Sequence, residues 1–249
     1  MITQSRLTQL LQKRARQRRA PKRPRLPNQA ERMYLGAMRT YAEVLVDVMG
    51  ENIRAHGLHL DAPDRFKVRG AQERIPLDRI GAEVVSHGKR DAKRVLGLGS
   101  EDLSVGYHVP DWRANNVRLI TQFTEQMFGQ MDQLIAENYG LESATVADKI
   151  QGLFDMTRSR AELIARDQTL KLNGMVTQTA QRTAGIDRYV WSTSQDESVR
   201  DSHAELEGKT FSWDDPPVVN KYGDTGHPGD DYQCRCCALP VLPELEETA

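Results

Sequence analysis

The chain's three cysteines all fall within Cys234-Arg235-Cys236-Cys237, with His203 and His227 upstream. Thiolate sulfur and imidazole nitrogen are the donors that tetrahedral zinc prefers. His203, His227, Cys234 and Cys236 therefore supply four ligands of the right types. The one-residue spacing lets Cys234 and Cys236 face one ion, and the intervening loop is long enough to fold His227 back beside them. Cys237 either replaces Cys236 or points into a core. The competing reading is a set of partly buried thiols, with His203 hydrogen bonding locally. A disulfide among cysteines this close in sequence would be strained.

A second constellation lies at Asp196, Arg200 and His203. These residues share one face if 195–205 is helical. Such a trio could act on a phosphodiester or hydrolysable bond with His203 as base, or form an ion pair beside a structural histidine. His203-Ala204-Glu205 resembles the opening of the zinc deaminase signature, but the later Pro-Cys-x-x-Cys is absent. The sequence also contains no His-Glu-x-x-His, phosphate-binding loop, Gly-x-Ser-x-Gly or dinucleotide fingerprint. The expectation is a protein that is not an enzyme. A metal-dependent hydrolase or nuclease using the His203/Cys234/Cys236 cluster is the alternative.

These residues need elements to hold them. Arg188 to Thr193 alternates and is rich in β-formers, which predicts a strand, and Lys209 to Trp213 and Ala238 to Val241 predict two more. Gln195 to Glu205 fits a short helix, and Pro216 to Asp231 a loop. Tyr189, Trp191, Phe211 and Trp213 supply a small aromatic core, with Trp191 and Trp213 structuring the module together with Asp196 and Arg200. Ahead of it the period is helical. Met33, Leu35, Met38, Tyr41, Leu45, Val48 and Met49 predict a helix over 28–56, with Asn28 as a cap. Two or three short helices are expected in 57–110, with a loop from Gly97 to Pro110. Asp111 is expected to cap a helix ending near Gly140. A second helix is expected from Ser143 through Phe154, and a third from about Ser159 to a C-cap at Gly185. The fold class is α+β: a mainly helical body with a small C-terminal α+β module, stapled by the Cys/His group if it binds metal. The divisions are a basic arm 1–30, a helical region 31–110, a helical body 111–185 and the module 186–249.

The net charge of −1 hides an asymmetry, because residues 1–30 hold nine Lys/Arg and no Asp/Glu and leave −10 for the rest. Arg14, Arg16, Arg18, Arg19, Lys22, Arg23 and Arg25 belong to this arm. Residues 2–19 have a thin apolar stripe, and Pro21, Pro24 and Pro27 make a stiff, extended link. Such an arm either contacts nucleic acid or an acidic surface, or is a solvated terminus. Without interleaved aromatics its nucleic-acid contacts would be to phosphate. No apolar run is long enough for a membrane helix, and the N-terminus lacks the apolar core of a secretory signal. An intracellular, reducing setting is expected, in which clustered cysteines bind metal or stay free.

A wider pattern joins these features. Arg160-Ala-Glu-Leu-Ile-Ala-Arg166-Asp-Gln168 is followed by Gly185-Ile186, Tyr189-Val-Trp191, Asp196, Val199-Arg200, His203, Gly208-Lys209, Phe211, Pro216-Pro217, His227-Pro-Gly229 and Cys234-Arg-Cys236. In order and spacing, from roughly 110 to 245, this resembles the phage Mu F-like minor head protein family, which includes head morphogenesis proteins of tailed phages and prophages. The motif matches Arg200, His203, Cys234 and Cys236 residue by residue. The resemblance implies a minor capsid protein of the virion, acting at or near the portal during head assembly in the host cytoplasm. Its implied partners are the portal or major capsid protein. The arm's implied partner is packaged DNA, and neither a membrane nor a small-molecule substrate is implied. The resemblance leaves open whether the Cys/His group binds zinc.

Overall fold

The computed structural model describes residues 22–56, 62–96, 108–138 and 143–242. Arg14, Arg16, Arg18, Arg19, the expected helix over 2–19 and most of the loop expected from Gly97 to Pro110 lie outside them. Five long helices, α1 (Asn28–His56), α2 (Ala62–Glu73), α3 (Leu77–Leu96), α4 (Val109–Glu137) and α5 (Ser143–Thr183), precede β1 (Arg188–Ser192), the single turn α6 (Asp201–Ala204), β2 (Thr210–Ser212) and β3 (Cys237–Pro240). The fold is α+β, with the strands at the C-terminal end. Among the described residues no helix is long and apolar enough to cross a membrane.

The chain divides into two compact units. One gathers the described residues of 1–28, 81–109 and 169–249, and the other those of 29–80 and 110–168. In the second unit, α1 buries Tyr34, Met38, Tyr41 and Leu45, and α4 buries Trp112, Ile120, Phe123 and Met127. Spacings of three, four or eight residues put each set on one helix face. The buried hydroxyls are paired. Tyr34 donates to Asn116 Oδ1 at 2.7 Å, and Tyr41 and Thr124 share a hydrogen bond of 2.5 Å.

Three helix expectations are corrected. Where short helices were expected in 57–110, α3 runs for 20 residues. Asp111 lies in the first turn of α4 and not ahead of it. Residues 143–183 form one helix of 41 residues where two were expected. The polar stretch between Phe154 and Ala161 contains no Gly or Pro to stop a helix. Gln151 and Arg158 both hydrogen bond to Asp155 Oδ1 along the same face, at 3.0 and 3.3 Å. The helix ends where Gly185 predicted. Gly185 has φ 74°, its N–H bonds to the Arg182 carbonyl, and the Ile186 N–H reaches back to Gln181. Glycine takes this left-handed conformation without steric cost, and the two bonds satisfy carbonyls left open by the last turn.

The first unit carries the sheet. β1 is central, antiparallel to β2 on one side and β3 on the other. Tyr189 faces Phe211 and Pro240, Trp191 faces Ala238, and Ser192 faces Cys237. Alternation along β1 buries Tyr189 and Trp191 in a core with Leu206, Trp213, Val219, Cys234 and Cys236. α5 is tied to this sheet by one buried side chain. Gln181 Nε2 donates to the Ala238 carbonyl at 2.9 Å and Gln181 Oε1 accepts from Trp213 Nε1 at 3.3 Å.

Candidate metal centre

His203, Cys234 and Cys236 come together as predicted. Their donor atoms lie within 4.8 Å of one another, and all three residues are buried. His203 Nδ1 is 3.8 Å from Cys234 Sγ and 3.6 Å from Cys236 Sγ. Sulfur and nitrogen donors around a tetrahedral zinc are about 3.5 Å apart, so the group fits such an ion with little movement.

Local structure explains the placement. α6 is a single turn that lifts His203 into the core, where its ring meets Trp191 edge to face at 5.5 Å. Cys234 and Cys236 flank Arg235, which turns outward and donates to Asp196 Oδ1 at 2.7 Å. The Asp231 carbonyl accepts from the Cys234 N–H at 3.1 Å, and the Gly229 N–H donates to Cys234 Sγ at 3.4 Å.

The two sulfurs differ electrostatically. A hydrogen bond from Cys236 pushes the Cys234 thiol down against the cost of burial, with His203 and the Gly229 N–H adding to the effect. Cys236 moves the opposite way, first through the same Cys234 partner and then through burial. The pair thus favours one thiolate, the form that binds metal. His203 is raised, chiefly by its hydrogen bond with Cys234.

His227 does not join the group. Its Nδ1 lies 2.9 Å from the Tyr189 hydroxyl, and its ring packs 4.9 Å from that of Trp213. Burial in this aromatic corner pushes the imidazole below its ordinary value, so neutral His227 is a wall of the core. Cys237 is also turned away, with its sulfur 3.7 Å from the Ser192 carbonyl and 3.2 Å from Arg23 Nε. Among the described residues three donors converge, not four.

The helix expected over 195–205 shrinks to Asp201–Ala204. Gln195 takes a positive φ of 59°, and Asp196 folds back on the Ser198 N–H at 3.0 Å, which breaks the helix before Arg200. Asp196 is therefore split from the trio, while Arg200 and His203 stay linked through the Asp231 carboxylate. Asp196 pairs with Arg235, Arg200 with Asp231, and His203 with the sulfurs. The arm's described cations also differ from one another. Lys22 is exposed. Arg23 bonds to Cys237 Sγ and to the Thr193 carbonyl. The Arg25 backbone bonds to Asp91 and His87.

The sequence reading missed Asp231, whose Oδ2 is 3.2 Å from His203 Nε2. Its position three residues before Cys234 was the available signal.

Residues 133–239 match the family model described as Phage Mu protein F like protein. An "Uncharacterized protein" of Haemophilus influenzae is 39% identical over 136 residues, which are 54% of this chain and 29% of the relative. The chain thus spans less than a third of that relative's length. No solved structure matches the chain.

Proposed function

Because residues 133–239 match the phage Mu F-like family model, we propose that this chain is a minor head protein of a tailed phage or prophage. It acts at or near the portal vertex during head assembly in the host cytoplasm and is packaged in the virion. Its partners are the portal or the major capsid protein. Packaged DNA is met through the basic residues up to Lys22 and through the exposed Arg25, whereas Arg23 is already engaged within the fold. The observation that carries this reading is that the family segment contains the whole His203/Cys234/Cys236 group, and the group is buried in the module's core.

In this reading His203, Cys234 and Cys236 hold zinc, which acts as a clip. The clip joins α6 to the strand-leading turn at 234–236 in a module whose three strands are only five, three and four residues long. The second reading is a metal-dependent hydrolase or nuclease. It draws on the donor count, since three protein ligands and an open position are the pattern of catalytic zinc. Burial of all three donors favours the clip.

Deletion of the gene in an inducible lysogen tests the function. Loss of DNA-filled heads, with rescue by the wild-type chain, is the expected result. Normal yields of filled, infectious particles would refute it. Phosphodiester cleavage by the zinc-loaded chain, abolished in His203→Ala, would favour the second reading.

A further inference from the structure

We propose that Asp231 is the outer-shell carboxylate of the His203/Cys234/Cys236 centre, and that it fixes Nδ1 of His203 as the metal-binding nitrogen. This rests on the zinc reading above.

The two nitrogens of His203 meet different chemistry. Nδ1 faces both sulfurs, while Nε2 lies 3.2 Å from Asp231 Oδ2. Nε2 is buried and, among the described residues, has no well-directed hydrogen bond. A neutral imidazole carries one N–H. With the hydrogen on Nε2, the ring donates toward the carboxylate and keeps the Nδ1 lone pair for a metal. With the hydrogen on Nδ1, the Nε2 lone pair would point at a carboxylate oxygen, an unfavourable pairing. The carboxylate therefore selects the tautomer that leaves Nδ1 free. Metal-binding histidines are commonly oriented in this way.

Asp231 is itself well held. Arg200 Nη1 lies 3.3 Å from the same Oδ2, and the Arg200 guanidinium also donates to the Tyr232 carbonyl. The Tyr232 N–H donates to Asp231 Oδ1 at 2.8 Å. The Asp231 main-chain carbonyl braces the Cys234 N–H. One residue thus supports two ligands, His203 through its side chain and Cys234 through its backbone.

The test uses the full-length chain, with zinc affinity from chelator competition and cobalt(II) absorption as a report on the inner donors. Asp231→Asn keeps an acceptor oxygen in the same place but loses the charge, whereas Asp231→Ala loses both. Near-ultraviolet dichroism from Trp191 and Trp213 checks that each variant is folded. The expected result is about 10–100-fold weaker zinc binding in Asp231→Ala, a smaller loss in Asp231→Asn, and unchanged thiolate-to-cobalt bands in Asp231→Asn. If Asp231→Asn and Asp231→Ala are folded and bind zinc like the wild type, the outer-shell role is wrong while the zinc reading stands. Collapse of the cobalt bands in Asp231→Asn would also overturn it, by making Asp231 an inner ligand. A wild-type chain that takes up neither metal would overturn the zinc reading itself.

Discussion

Arg23 Nε donates a hydrogen bond to Cys237 Sγ at 3.2 Å, across 214 positions of sequence. This one contact reassigns two residues. It takes Cys237 out of the metal group and Arg23 out of the set of cations free to meet DNA. Burial pushes the Cys237 thiol up, and Arg23 offsets this only in part.

Cys237→Ser is therefore expected to retain the wild-type zinc content, whereas Cys234→Ser and Cys236→Ser lose most of it. Elemental analysis of the purified chains checks this. Loss of zinc in Cys237→Ser would mean that the wrong pair of sulfurs has been assigned. Arg23→Ala is expected to keep the metal and cost about 1–3 kcal/mol, since it loses the hydrogen bonds to both Cys237 and the Thr193 carbonyl.

A second prediction concerns the loop that carries the sulfurs onto α5. A Cβ on Gly174 would come within 2.9 Å of the Pro228 carbonyl oxygen, and Gly229 opposite it holds φ at +100°. Gly174→Ala must push this backbone away, and a loss of about 1–3 kcal/mol is expected. Gly129, with nothing within 4 Å of its would-be Cβ, is the control. Gly129→Ala should stabilise α4 by about 0.5–1 kcal/mol. Urea denaturation followed by tryptophan fluorescence and by helical dichroism distinguishes the two. Equal effects at both positions would contradict the close approach.

The pH dependence follows from His227. Burial lowers its folded value below the ordinary 6.5, so the unfolded chain takes up a proton first as the solution is acidified. The stability associated with neutral His227 is complete above pH 6.5 and is lost as pH falls from there through the folded value. Asp230, whose carboxyl is pushed up by its own burial, works in the opposite sense and limits the loss at lower pH. Thermal melts from pH 8 to pH 5 should show a falling Tm below about 6.5. His227→Phe, which keeps an aromatic ring in the corner, should make that fall shallower without abolishing it, because the Cys234 thiol, lowered in the folded chain, also loses stability as pH falls. An unchanged slope in this variant would place the titrating group elsewhere.

Much of the fold was legible because the signals were local. The apolar stripe from Met33 to Met49 marked α1, the alternation around Trp191 marked β1, and Gly185 marked the end of α5. The convergence of His203, Cys234 and Cys236 was legible from ligand chemistry. The role of His227 was not, because the path of the 216–231 loop depends on long-range contacts with Tyr189, Trp213 and Gly174. The short helix was overextended because the turn at Gln195 and Asp196 carries no Gly or Pro to mark it. Asp231 was missed because acidic residues in a polar loop look alike until a buried partner such as His203 is in place.

The most direct test of the functional account is peptide mapping by mass spectrometry of gradient-purified, DNA-filled heads from an induced lysogen. The account predicts peptides of this chain in those heads, still present after washing at high salt and lost from particles when Cys234 and Cys236 are both replaced by serine. Finding the chain only among soluble proteins, with filled heads formed normally in its absence, would contradict a role in head assembly.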